Sequence, residues 1–512
     1  MNSLVSIAPL CLLALSSIAV TASADWRVDA GYSQLQIELG AAMPTGAGIA
    51  VLQSEASDIA GPTLRYLPQA TAGSGVFAGA GSFAGKSFTP HSGASDASGH
   101  AQSVAGIFYS LFGSVAPGVT EVHVYEAGDF FSSLYTPSPP PVFAGSVQNH
   151  SWVGSTGNDA TDTEFLRRLD YIIERDGITA TVPLNNGTAM PKLPANGYHT
   201  ISVGMRSGGH SVGGSTLDGV GRMKPDLVVD QGFTSYASPA VASAATLLLD
   251  AIRPDFADAD DPRIVKAILL AAATKERLPT WHRTASTKPY DATFGAGELN
   301  VLNAYHILAA GDQPASASSE VGTRGWDGAL ASSATPKRWF FSVPVGRIAN
   351  SLSVAATWHR VFSSGVSVAA LPHLTLRLFA STGFTLGSTP VDQSNSAVDN
   401  VQHLFLRHLP AGQYALELAS DTNNVPVAIA WEAQLGSGPV VSVVRSGNTA
   451  TLSFSGLDPF ASYTVEASAN LTSWTAATTF RTADTTPSQS YSWQDNAATG
   501  VKFYRLAWAS VR

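Results

Sequence analysis

The chain has 512 residues, of which 45% are hydrophobic and 13% charged, with a formal net charge of -9. That length exceeds what one core holds, so about two to four domains are expected. The composition excludes a disordered chain, and the negative balance argues against nucleic acid or an anionic membrane as partner.

Met1 to Ala24 reads as a secretory signal, with an apolar run from Leu4 to Val20 and a small-x-small cleavage pattern at Ala22-Ser23-Ala24. The expected location is therefore secreted, outside the cell. The single cysteine, Cys11, lies inside this segment. The mature chain would then carry no disulfide and no thiolate chemistry. No later run is long and apolar enough to span a bilayer.

From Asp25 to about Gly311, strand-like and helix-like runs alternate. The spacing predicts strands at Ile49–Ser54, Glu121–Tyr125, Gly177–Val182 and His199–Met205. It predicts helices at His100–Phe112, Glu164–Glu174, Ser235–Ile252 and Pro262–Thr274. That alternation implies an α/β fold, a mostly parallel sheet with helices on both faces, with the site in the loops between strand and helix. After Gly311 the composition shifts. Pro314–Ser319 reads as a small-residue linker with few contacts across it. Runs at Trp339–Val343, Leu352–Thr357, Leu374–Ala380, Gln402–Arg407 and Gln413–Leu418 alternate apolar and polar, as an antiparallel β-sandwich requires. A second, shorter β unit starts near Ser437, with runs at Val440–Val444, Ala450–Phe454, Tyr463–Ala467 and Phe503–Ala507. The expected division is a signal at 1–24, an α/β domain at 25–311, a sandwich at 312–436 and a fibronectin-like module at 437–512.

Several segments of the α/β part carry chemistry. Gly232-Phe233-Thr234-Ser235-Tyr236-Ala237-Ser238-Pro239 places a glycine and hydroxyl residues at the opening of an apolar helix. A helix N-terminus has free N–H groups and partial positive charge, which suit a nucleophile developing negative charge. Earlier come Thr45-Gly46-Ala47-Gly48-Ile49-Ala50-Val51-Leu52-Gln53-Ser54-Glu55, ending in an acid, and Ser98-Gly99-His100-Ala101-Gln102-Ser103-Val104-Ala105-Gly106. Val147-Gln148-Asn149-His150-Ser151-Trp152-Val153-Gly154 and Thr181-Val182-Pro183-Leu184-Asn185-Asn186-Gly187 follow. Lys224-Pro225-Asp226 precedes the serine, and Phe294-Gly295-Ala296-Gly297-Glu298-Leu299-Asn300-Val301 closes the region.

In this order the segments resemble the subtilisin-like serine proteases over about residues 42–310. The nucleophile stretch is similar to that family's G-T-S-x-A-S-P, with Phe233 inserted. The resemblance implies Ser235 as nucleophile, His100 as base and Asn185 as side-chain donor to the oxyanion. The family's aspartate falls on Glu55, so the implied triad is Ser-His-Glu. Gln53 and Asp58 are the alternatives for the acid: Gln53 cannot be charged, and Asp58 comes three residues later. The stretch Ser151, Trp152 and Gly154 corresponds to the edge that pairs with extended substrate, with Trp152 an aromatic wall beside the specificity pocket. His150 reads as structural. The implied activity is a secreted endopeptidase acting on protein or peptide substrates without a cofactor. Calcium is common in the family, but no acidic cluster identifies a site and no metal ligand is assigned. The alternative reading is a catalytically inactive member of the fold, kept as a binding or adhesion scaffold. Glu55, Leu184, Phe233 and the family's missing Pro-Gly before Ser235 motivate it.

Overall fold

The computed structural model describes residues 25–58, 64–68, 75–76, 81–93, 96–214, 221–252, 259–457, 462–482, 489–498 and 500–508. The expected secretory segment lies outside them. Among the described residues no helix is long and apolar enough to cross a membrane.

Eight strands form the first sheet, in the order Leu227–Val229, Ile201–Met205, Thr179–Pro183, Val147–His150, Val51–Glu55, Glu121–Glu126, Ser87–Pro90 and Gly75–Val76. All neighbours run parallel except the last pair. The central strands are buried along their whole length, because helices cover both faces. One face packs against the helices Gly99–Phe108, Thr234–Ile252, Pro262–Ala272 and Val301–Ala309. The other face, with Leu52 and Ala180, packs against Ala127–Tyr135 and Asp159–Asp176. The expected α/β class is what the chain adopts.

Local chemistry sets the element ends. The Asp159–Asp176 helix starts where Asn158 accepts from the amides of Ala160 and Thr161, and it stops at Gly177, which takes the left-handed φ of 67°. The turn before Val51 needs Gly46, at φ 80°, because a Cβ there would meet Ala116 at 2.9 Å. That turn is fixed from across the domain. The amides of Thr45, Gly46 and Ala47 all donate to Oδ2 of Asp250, near the end of the Thr234–Ile252 helix.

Beyond residue 311 two four-stranded antiparallel sheets face each other. One runs Arg324–Ala331, Val425–Gly436, Ile348–Trp358, Val401–Leu409; the other runs Lys337–Val343, Gly412–Ser420, Leu374–Thr382, Thr385–Ser394. Their apolar inner faces, with Trp339, Trp358 and Trp431, form one core. Two three-stranded sheets then enclose a smaller core around Leu452, Phe454, Tyr463 and Val465.

The segment expected to be a linker is pinned. The Gln313 side chain donates to the carbonyls of Ala310 and Arg324 and accepts from Gly322 N–H. The amide of Ala315 donates to Asp327. Nor are contacts across it few. Trp326, Ala355, Val401, Ala428 and Ala430 of the sandwich belong to the same core as the α/β helices. Buried polar ties cross as well: Arg283 to Asp392 at 2.6 Å, Asn400 to the Tyr198 carbonyl, and Met223 N–H to Asp399. The physical reason is the helix Pro262–Ala272. Every residue in it but Arg263 is buried, so it needs cover on all sides, and strands Ile348–Trp358 and Val425–Gly436 supply the cover that the parallel sheet cannot.

Candidate functional site

Strand Val51–Glu55 ends in Glu55, which is fully buried. Beside it begins the helix Gly99–Phe108, capped by Ser98, whose Oγ accepts from the Ala101 amide at 3.3 Å. This places His100 in the first turn, facing the strand end. Its Nδ1 and Oε2 of Glu55 are 2.7 Å apart. A buried carboxylate there fixes the tautomer: Nδ1 carries the proton and donates, which leaves Nε2 as the basic nitrogen. Among the described residues Nε2 has no hydrogen-bond partner.

Burial pushes the Glu55 carboxyl up, opposed in part by hydrogen bonds from His100 and Gln53. Burial alone would lower the His100 imidazole, but the hydrogen bond and charge of Glu55 outweigh it and the net direction is up. Asp58 stands outside the pair. It accepts from Ser98 Oγ at 2.8 Å and so steadies the helix cap, and its charge adds a smaller upward push on the His100 imidazole.

Ser235 sits in the first turn of the helix Thr234–Ile252 and is partly exposed. The next side chain, Tyr236, lies over His100 with ring centroids 5.9 Å apart. That contact brings the serine's turn alongside the imidazole. Proline at position 239 has no N–H, so the Ser235 carbonyl four residues earlier loses its helical partner. The hydroxyl of Ser151 donates to that carbonyl at 3.0 Å. Asn149 extends the link, donating to Ser151 Oγ and accepting from Thr181 Oγ1 and Ser238 Oγ. The serine is thereby tied to two strands of the sheet.

The loop after strand Thr179–Pro183 approaches the same turn. The Thr234 N–H donates to Oδ1 of Asn186 at 2.9 Å, and the Thr234 hydroxyl lies 2.5 Å from the Leu184 carbonyl. The expected oxyanion donor was Asn185. Its Nδ2 donates instead to the Ala189 carbonyl at 2.9 Å, within its own loop. The amide that touches the serine's turn belongs to its neighbour Asn186. The family match singles out Asn185, while the hydrogen bonds of Thr234 go to Asn186. The amide N–H of Ser235 has no hydrogen-bond partner among the described residues, as is usual for a first-turn N–H.

The expected substrate edge differs most. Trp152 is 9% exposed and packs in the core with Phe130, Leu166 and Phe165, its indole N–H donating to Ser54. It lies just past the end of strand Val147–His150, and its ring turns under the Asp159–Asp176 helix. Gly154 exchanges both backbone hydrogen bonds with Leu193 at 2.9 Å, so that position is already paired. Ser151 is committed to Ser235, as above. His150 is buried against Phe130 and Trp152, and burial drives its pKa down to about 3. It is a neutral core residue, in keeping with its expected structural role.

One trio of potential metal ligands occurs among the described residues, Glu174, His199 and His359. It does not fit an ion. The two imidazoles stack face to face at 3.8 Å and 10°. Their lone pairs lie in the ring planes and so run side by side instead of converging. Both His199 nitrogens are engaged, Nδ1 with the Asp170 carbonyl and Nε2 with the Arg360 N–H. The trio fastens the sandwich to the α/β domain.

No family model matches the chain, and no curated protein does. Solved structures do resemble it. A protease of Pseudoalteromonas arctica is 16% identical, covering 53% of this chain and 93% of that one, with a TM-score of 0.32. A lanthipeptide protease is 14% identical over 56% and 96%, with a TM-score of 0.37. A serine protease described as an essential component of a type VII secretion system is 15% identical over 57% and 90%, with a TM-score of 0.30. Identities of this size say nothing of chemistry, which the site itself has to supply.

Proposed function

We propose that the chain is a serine endopeptidase of the subtilisin-like kind, hydrolysing peptide bonds with Ser235, His100 and Glu55. The observation that carries this reading is the 2.7 Å contact between His100 Nδ1 and a fully buried Glu55, beside a partly exposed serine at a helix start. An acid there holds the imidazole in the tautomer whose Nε2 can take a proton, the role an aspartate has in the usual triad.

In the proposed reaction His100 Nε2 removes the Ser235 hydroxyl proton as Oγ attacks the amide carbonyl. The oxyanion that forms is met by the Ser235 N–H and by Nδ2 of Asn186. Asn186 is preferred to Asn185 because Thr234 already holds its oxygen, so its NH2 group faces the other way. His100 then gives the proton to the leaving amine, and water repeats the sequence to release the acyl group. No metal or cofactor takes part in the proposed steps. The substrates are peptides or proteins, and the expected export places the reaction outside the cell.

A second reading, an inactive scaffold, is favoured by one observation. The Gly154 backbone, where an extended substrate was expected to pair, is occupied by Leu193. A fluorophosphonate probe separates the two. Covalent labelling of the purified chain that disappears in Ser235→Ala, with circular dichroism unchanged, supports the protease. A folded chain that neither labels nor cleaves casein is the scaffold.

A further inference from the structure

Glu55 has two oxygens, and only one serves His100. The other, Oε1, accepts from Nε2 of Gln53 at 2.8 Å. The second hydrogen of that amide goes to the Ala101 carbonyl at 2.9 Å, in the first turn of the helix that carries His100. The Gln53 oxygen accepts from the Tyr109 hydroxyl at 2.5 Å, and Tyr109 is the residue that ends the same helix. Gln53, Glu55 and Tyr109 are all buried. The Ala101 carbonyl can only accept, which fixes the Gln53 amide the way round just described. Every strong hydrogen-bonding direction of the Gln53 side chain that points into this network is thus filled.

We propose, resting on the protease reading, that Gln53 is a positioning residue: it orients Glu55 toward His100 and locks the acid's strand to both ends of the base's helix, with Tyr109 as its anchor. Strand alternation puts residues 53 and 55 on the same side of the sheet. A glutamate is long enough to reach back to the Gln53 amide with one oxygen and across to His100 with the other. An aspartate, one methylene shorter, reaches one of them. The unusual acid and the glutamine two residues before it are therefore one device. A carboxylate buried without donors is costly, and a charge-assisted amide hydrogen bond offsets part of that cost. Among the described residues, the ionisable groups that act on or feel Glu55 are His100 in the helix, Tyr109 at its end and Asp58 beyond the strand.

The direction of the effect follows. Without the Gln53 donor, Glu55 is a stronger base and holds the Nδ1 proton more tightly. The imidazolium is then harder to deprotonate, so His100 titrates at higher pH. The test is histidine NMR on the full chain, with the His100 signal identified by its loss in His100→Gln. In Gln53→Leu the His100 pKa should rise by about one unit, the size expected for losing a donor to a charged group. The low-pH limb of kcat/KM should move up with it, and kcat should fall about tenfold or more. Tyr109→Phe should shift both in the same direction by less, and it carries the test if Gln53→Leu does not fold. A Gln53→Leu chain that loses thermal stability while His100 titrates as in the parent overturns the proposal, leaving Gln53 a packing residue. The NMR titration needs no turnover. A chain that fails to label at Ser235 yet shows the shift refutes the protease reading and keeps the Gln53 assignment.

Discussion

The hydroxyl of Ser151 donates to the main-chain carbonyl of Ser235, the group that Pro239 leaves without a helical partner. Proline inside a helix normally costs stability through that orphaned carbonyl. Here the strand Val147–His150 delivers a donor just past its end, and the defect becomes a strut between the sheet and Ser235. Ser151→Ala should lower unfolding free energy by about 1–2 kcal/mol, the cost of a poorly satisfied buried acceptor. Urea denaturation measures it. An unchanged midpoint would show that solvent takes over the role.

Asn186→Ala should lower kcat about 10²–10³-fold with little change in KM, as removal of one oxyanion donor does. Asn185→Ala should cost far less, because its amide holds only the Ala189 carbonyl. Steady-state kinetics on the two variants decide between the neighbours. The opposite ranking would return the role to Asn185.

Glu55→Gln should reduce kcat by about 10⁴-fold, the size expected when a triad loses its acid but keeps its shape. Glu55→Asp should keep part of the activity, and Asp58→Asn most of it. The pH profile follows from the same pair. His100 must be neutral to act as base, and Glu55 holds its pKa above the ordinary histidine value. Activity should therefore fall as pH drops through that raised value, earlier on acidification than for an unpaired histidine. In Glu55→Gln the limb should move to lower pH. A limb that stays in place would detach Glu55 from the base.

Deleting residues 437–512 should leave a folded chain that still labels at Ser235, because that module has its own core. Deleting 312–512 should not. It strips the cover from the helix Pro262–Ala272 and removes Trp326, Ala428 and Ala430 from the shared core. Soluble yield and circular dichroism of the two truncations check this. A soluble, native-like 25–311 fragment would mean the helix can cover itself.

Much of the α/β part was legible because its strands are short apolar runs between strong helices. The predicted strand His199–Met205 and the helices Ser235–Ile252 and Pro262–Thr274 are observed at Ile201–Met205, Thr234–Ile252 and Pro262–Ala272, a difference of about a turn or less at their ends. The place of Glu55 at a strand end was legible because the segment before it runs there without a gap. Three things were not. The packing of Trp152 against Phe165 and Leu166 was hidden because sequence gives residue size but not the direction a side chain takes beyond a strand end. The resemblance singled out Asn185, and the hydrogen bonds that join Asn186 to Thr234 could not be read from the sequence. The docking of the sandwich was hidden by a small-residue linker, although Ile264-Val265-Lys266-Ala267-Ile268-Leu269-Leu270-Ala271-Ala272 held a clue: only Lys266 interrupts an apolar surface on every side. Even Lys266 is buried, donating to the Thr200 carbonyl.

The shared core has a consequence for timing. The helix Pro262–Ala272 is synthesised long before the strand Val425–Gly436 that covers it. Until that strand arrives, the growing chain carries an apolar helix with one side bare. The arrangement predicts that Ser235 and His100 come into working register only when the chain is nearly finished. A protease assembled this way would be harmless to its own maker during synthesis. Fluorophosphonate labelling of stalled chains of increasing length would show it: reactivity should switch on near residue 436, not near residue 311.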